Sequence, residues 1–166
     1  MQKVEIQVFS FDELEDKAKE KAREVFRSTW EYPYFDENME SAKAFIGHFG
    51  GSMLNWSVGD TRHSFIKTDL TKDSFRGVKL KDFSRDHMPT GYIADCSLWE
   101  EFHDIFKATG DAMYAYQQAI ESFLIYVSRD VEEYFSDSNI DETLTLNEYD
   151  YLADGSVFFN DFKKVA

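Results

Sequence analysis

Four histidines, one cysteine and a dense run of carboxylates are the side chains whose types and spacing bear on chemistry. Cys96 precedes His103 by seven residues, and nothing local activates it, so a buried structural thiol is expected. His48, His63, His87 and His103 are scattered, without the i, i+4 pair that places two imidazoles on one zinc. Glu100-Glu101-Phe102-His103 holds one E-x-x-H; a di-iron bundle needs two, plus glutamates from two further helices, so an exposed polar helix face explains the motif better. Asp137, Asn139 and Asp141 match positions 1, 3 and 5 of a calcium loop and Glu148 matches position 12, but Glu142 stands at position 6 where the sharp turn wants glycine. The same segment reads as a helix cap. No glycine-rich phosphate loop is present. Asn55-Trp56-Ser57 is a glycosylation sequon, without use in a cytoplasmic chain. No nucleophile–base pair, cofactor site or metal site can be assembled from these residues, and a non-enzyme is expected.

The carboxylates themselves are the stronger signal. Net charge is −14. Residues 1–93 carry 14 Lys+Arg against 16 Asp+Glu, whereas residues 94–166 carry 4 against 16. Between Asp130 and Phe162 ten acids stand without one lysine or arginine. A field of one sign attracts basic partners and repels nucleic acid, whose recognition needs clustered Lys and Arg. Arrayed carboxylates also imitate the phosphates of duplex DNA, about one charge per 1.7 Å of axis. The candidate partner-binding set is Asp130, Glu132, Glu133, Asp137, Asp141, Glu142, Glu148, Asp150 and Asp154, with Tyr149 or Tyr151 as aromatic anchors. Each acid taken singly reads as a solvated surface charge; the set carries the argument.

These residues need elements to position them. Lys3 to Phe9 alternates as a strand. Ser10-Phe11-Asp12-Glu13 is a capping box, with Phe9 and Leu14 placed as a staple, opening a helix to about Ser28 whose stripe is Leu14, Ala18, Ala22, Val25 and Phe26. A second helix spans about 36–49 and ends at Gly50-Gly51. Short strands are expected at 53–58, 64–68, 77–80 and 92–94. A short helix from Leu98 stops near Gly110, and the long 3.6-residue period from Met113 to Phe135 predicts one helix over 111–135. Asn139 is the expected cap of a last helix, Ile140 to Leu146. Asp154-Gly155 between apolar residues signals a hairpin. The expected architecture is α+β: helices packed on a small, mostly antiparallel sheet, with a long helix near 111–135 and a C-terminal β-hairpin, in a single domain over residues 1–166. No apolar run reaches membrane length, no signal-like stretch opens the chain, and one cysteine forms no internal disulfide, so a cytoplasmic location without membrane contact is expected.

Both ends resemble a loose family of uncharacterised phage and prophage proteins. Phe9-Ser-Phe-Asp-Glu-Leu14 with Ala18-Lys-Glu-Lys-Ala-Arg23 is similar to that family's opening; Asn147-Glu-Tyr-Asp-Tyr151 with Asp154-Gly155 is similar to its close. The resemblance brings no catalytic residues. It implies a mobile-element origin and an anti-defence role of the anti-CRISPR or antirestriction type. The function expected is inhibition of a host nucleic-acid-directed defence system by protein–protein contact, the acidic surface docking on a basic host protein or ribonucleoprotein such as a CRISPR effector or restriction enzyme. Two alternatives stand beside it: a phage accessory or structural protein whose acidity is only solvation, and a divalent-metal protein centred on Asp137 to Glu148.

Overall fold

The computed structural model describes residues 5–59 and 63–159. Among them are five α-helices, α1 (Asp16–Thr29), α2 (Phe35–His48), α3 (Ala94–Thr109), α4 (Ala112–Tyr134) and α5 (Asp137–Leu146), and one antiparallel pair of strands, β1 (Met53–Ser57) and β2 (Phe65–Thr68). The α+β class and the long helix are therefore present. The chain divides into two compact units, the first from Met1–Glu31 and Glu133–Ala166, the second from Tyr32–Glu132. No helix among the described residues is long and apolar enough to cross a membrane.

The first unit is built from the two ends of the chain. Its core is Phe11, Leu14, Ala18, Ala22, Phe26, Ile140, Leu144 and Tyr151. The Glu13 carboxylate accepts from the backbone N–H and the hydroxyl of Ser10, at 2.9 and 3.1 Å, and these bonds hold its pKa below the ordinary range. The box closes a single 3₁₀ turn, Phe11–Glu13, and not α1. Leu14 and Glu15 are extended before the helix starts, and that break buries both Phe11 and Leu14 in one core. α1 then presents small residues where the chain comes closest. A Cβ on Gly155 would lie 2.1 Å from the Ala18 carbonyl oxygen, and Gly155 has φ +84°, so glycine is required twice over.

Two expectations fail in this unit. The C-terminal hairpin is absent: Tyr151 makes one isolated bridge to Phe9 and one to Val157, and neither extends into a ladder. Asp154-Gly155 does form a turn, closed by Gly155 N–H to Leu152 O and Leu152 N–H to Ser156 O. Leu152 N–H to Ser156 O and Phe158 N–H to Asp150 O flank the Tyr151–Val157 bridge, while the Tyr151 N–H and carbonyl face Phe9 at 2.8 and 2.9 Å; among the described residues the pairing goes no further on either side. Of the expected first strand, Lys3 and Val4 lie outside the described residues, and Glu5 to Val8 is irregular. The cap of α5 is also displaced. Ser136, not Asn139, is the N-cap, its hydroxyl accepting from Asn139 N–H at 3.4 Å. Asn139 instead donates its amide to the Tyr134 carbonyl at 2.8 Å, satisfying the end of α4.

The second unit is an aromatic core. Phe45 stacks on Tyr116, with ring centroids 5.6 Å apart, and meets Trp99 edge-on at 5.1 Å. β1 pairs with β2 through Trp56↔Ile66 and Ser57↔Phe65, with an irregularity between Met53 and Asn55. The expected strands at 77–80 and 92–94 do not form. Gly77 turns the first at φ +79°, and a 3₁₀ turn, Leu80–Asp82, follows. The second is overridden by Asp95, fully buried, whose Oδ2 accepts from Thr90 N–H, the Thr90 hydroxyl and Gly91 N–H at 2.9–3.1 Å. That carboxylate folds 90–95 into the turn that starts α3. Cys96 is half-buried, not buried.

Candidate functional site

The nine candidate acids divide between the units. Asp130 and Glu132 belong to the second; Glu133, Asp137, Asp141, Glu142, Glu148, Asp150 and Asp154 belong to the first. Within the second unit Asp130 accepts a hydrogen bond from the Tyr32 hydroxyl, which also receives the Asn38 amide at 3.4 Å. Burial and the adjacent Asp130 carboxylate push the Tyr32 phenol well above its ordinary range. Glu132 is exposed.

In the first unit the folded chain supplies cations that the 130–162 segment lacks. Arg23 of α1 grips Asp141 of α5 with two bonds, Nε to Oδ1 and Nη2 to Oδ2, both 2.7 Å. The same guanidinium reaches Glu20 at 3.0 Å and Asp137 at 3.9 Å. Arg27 pairs with Asp137 and, at 3.5 Å, with Glu20. The bidentate fork is the strong form of the carboxylate contact. Hydrogen bonding to Asp141 raises the Arg23 pKa further, so the charge is permanent. Lys21 donates to Asp154 at 2.6 Å and to the Ser156 hydroxyl at 3.0 Å. Lys21 and the Ser156 donors hold the Asp154 carboxyl far below the usual carboxylate range.

Three of the candidate acids are thus structural clamps between α1 and the C-terminal segment. The other four in this unit, Glu133, Glu142, Glu148 and Asp150, are exposed and make no ion pair among the described residues. Glu148 sits at φ +52°, in the left-handed region, just past the end of α5. Tyr149 is 38% exposed and fits an anchor; Tyr151 is fully buried and belongs to the core instead. A second exposed aromatic side chain in this unit is Trp30, 44% exposed and stacked on Phe26 with centroids 5.0 Å apart. In the sequence it opens the aromatic stretch Trp30-Glu-Tyr-Pro-Tyr-Phe35 that leads from α1 into α2.

The calcium-loop reading loses its loop. Asp137–Leu146 is a continuous helix, and Asp137 and Asp141 are spent on Arg27 and Arg23. No group of three or more His, Cys, Asp or Glu side chains placed to hold a metal occurs among the described residues. The E-x-x-H carboxylates are also engaged: Glu100 pairs with Arg85 at 3.0 Å and Glu101 accepts from Ser122 at 3.2 Å. No family model, curated protein or solved structure matches the chain.

Proposed function

We propose that the protein is a non-enzymatic inhibitor that binds a basic surface of a host nucleic-acid-directed defence protein or ribonucleoprotein. The observation that carries the reading is the set Glu133, Glu142, Glu148 and Asp150: four exposed carboxylates that make no ion pair among the described residues, in a segment, 133–159, that holds no lysine or arginine. Unpaired carboxylates keep their field available to a partner, whereas Asp137, Asp141 and Asp154 spend theirs within the unit. The docking charge is therefore smaller than the composition implies, and steering and docking of a basic patch suit it better than imitation of a long DNA duplex. The resemblance of the opening and close to phage and prophage proteins is the ground for seeking such a partner among host defences.

Capture of a partner from host lysate, followed by titration of the complex at rising salt, tests the reading. A basic partner whose affinity falls tenfold or more between about 50 and 200 mM salt is the expected result. Replacing Glu133, Glu142, Glu148 by Gln and Asp150 by Asn flattens that dependence. Binding indifferent to salt and to the four changes overturns the proposal.

A further inference from the structure

Two histidines that the sequence scatters come together in the second unit. The ring centroids of His48 and His87 are 5.9 Å apart, with their planes at 66°. His48 is the last residue of α2, and His87 lies in the segment before α3. Both imidazoles meet the indole of Trp99 edge-on, at 4.9 and 4.5 Å, and Trp99 is itself 1% exposed. Phe83 packs on the His48 ring at 4.8 Å. The seam is also held away from the rings. The Ser41 hydroxyl of α2 bonds the Thr90 hydroxyl at 3.0 Å, and Thr90 is tied in turn to Asp95 of α3. The chain therefore fixes the pair before any ligand arrives.

Neither ring makes a hydrogen bond or an ion pair among the described residues. His48 is exposed and His87 half-buried, so solvent reaches both. An imidazole nitrogen binds a first-row metal at about 2.0–2.1 Å, and one ion shared by two imidazoles leaves their ring centres about 5–6 Å apart. The observed spacing falls in that interval. The ligating form of histidine is the neutral ring. Burial and the neighbouring His87 lower the His48 pKa, which favours that form. The position suits a cation as well, because His48 ends a 14-residue helix whose C-terminal end carries partial negative charge. Imidazole nitrogens suit zinc, nickel and copper, whereas calcium and magnesium take oxygen ligands.

We infer that His48 and His87 form a two-imidazole site for a divalent first-row transition-metal ion. Two protein ligands leave the ion's other positions open to water or to a group from another molecule. The bound ion links the end of α2 to the segment before α3. The site draws on no residue of the acidic set and stands apart from the functional reading above.

The test titrates the full-length, chelator-treated protein at neutral pH with zinc chloride, copper(II) chloride and magnesium chloride in turn. The imidazole resonances of the four histidines report where each ion sits. Zinc is expected to move His48 and His87 at concentrations that leave His63 and His103 in place. Copper binds more tightly than zinc, as the order of divalent affinities requires, and broadens the Trp99 indole resonance; magnesium moves neither ring of the pair. His48→Gln and His87→Gln each weaken zinc roughly tenfold or more, since even loss of a group behind a metal ligand costs about 10–100-fold. Zinc shifts spread equally over all four histidines, shifts absent from the pair, or an affinity unchanged in both variants overturns the site. Should either variant unfold, the resonances of the unaltered protein decide.

Discussion

Each unit carries sixteen acidic residues, yet the two hold themselves together differently. The second unit buries a continuous aromatic core, with Phe45, Phe49, Phe83, Trp99, Phe102 and Tyr116 in mutual ring contact. Its ion pairs include Arg85 with Glu100 and Asp104, Arg76 with Asp73 and Lys43 with Glu40, all exposed, and such pairs add little. Among the described residues the first unit has eight core residues, two of them alanine, and it ties its distant chain segments by Arg23–Asp141, Arg27–Asp137 and Lys21–Asp154. Where apolar burial is abundant, acids are left on the surface; where it is scarce, some of them become clamps. A charge census alone cannot separate the two uses.

Four measurements break or sharpen that contrast. Gly155→Ala forces a Cβ into the Ala18 carbonyl at a left-handed φ. It should cost the first unit about 3 kcal/mol or more. The second unit's near-ultraviolet dichroism, dominated by Trp99 and its neighbours, should persist in mild denaturant; simultaneous loss of both units would erase the distinction. Arg23→Met removes a guanidinium that is 18% exposed and bidentate. A loss of about 1–3 kcal/mol is expected, and a double-mutant cycle with Asp141→Asn should recover a favourable coupling. A coupling near zero would reduce the clamp to a surface pair.

Acid should separate the units by pH. The His48 ring packs against Phe83 and Trp99, and burial together with the nearby His87 lowers its pKa. Its unfolded form takes up a proton first, so the second unit loses stability as pH falls below the unfolded histidine value of about 6.5. Asp154 behaves oppositely in position. Its folded pKa is depressed, chiefly by Lys21, so its contribution is full above the unfolded carboxylate value of about 3.9 and disappears below it. Proton-resolved titration should find the second unit softening near pH 6 while the first holds until below 4. Lys21→Met should bring the Asp154 carboxyl back toward the ordinary range; an unmoved titration would deny the clamp. The smallest effect is at Glu148. Glu148→Gly relieves a left-handed backbone and should raise the stability of the first unit by about 0.5–1 kcal/mol, while slightly weakening binding to a basic partner. Stability and binding moving in opposite directions is the signature sought.

Local signals were legible and long-range ones were not. α4 reads from the sequence because its apolar period runs unbroken from Met113 to Tyr134, and α3 because Gly110 terminates it with φ +71°. The capping box at Ser10 was visible, but the helix it serves depends on whether Leu14 joins the core, which the motif does not encode. The Asp154-Gly155 turn was visible too; that its flank also pairs with Phe9, a residue at the other end of the chain, was not. Nothing in the sequence marks Asp95 as buried, and its three bonds to 90–91 put a turn where a strand was expected. For the site, the free acids were identifiable as a set. Their sorting was not, because Arg23 and Asp141 stand 118 positions apart and only packing brings them together.

That separation has a consequence in time. Leu14 and the α1 stripe of Ala18, Ala22 and Phe26 leave the ribosome well before Ile140, Leu144 and Tyr151, with Tyr32–Glu132 synthesised between them. Closing so long a loop adds little free energy, since each doubling of length costs only about 0.6 kcal/mol, but the wait is unavoidable. The second unit's residues are contiguous and free to condense during that interval. The nascent α1 meanwhile presents its apolar face alone, flanked by Lys17, Lys19, Glu20 and Glu24. Their neighbours Lys21, Arg23 and Arg27 gain Asp154, Asp141 and Asp137 only when the last thirty-odd residues arrive.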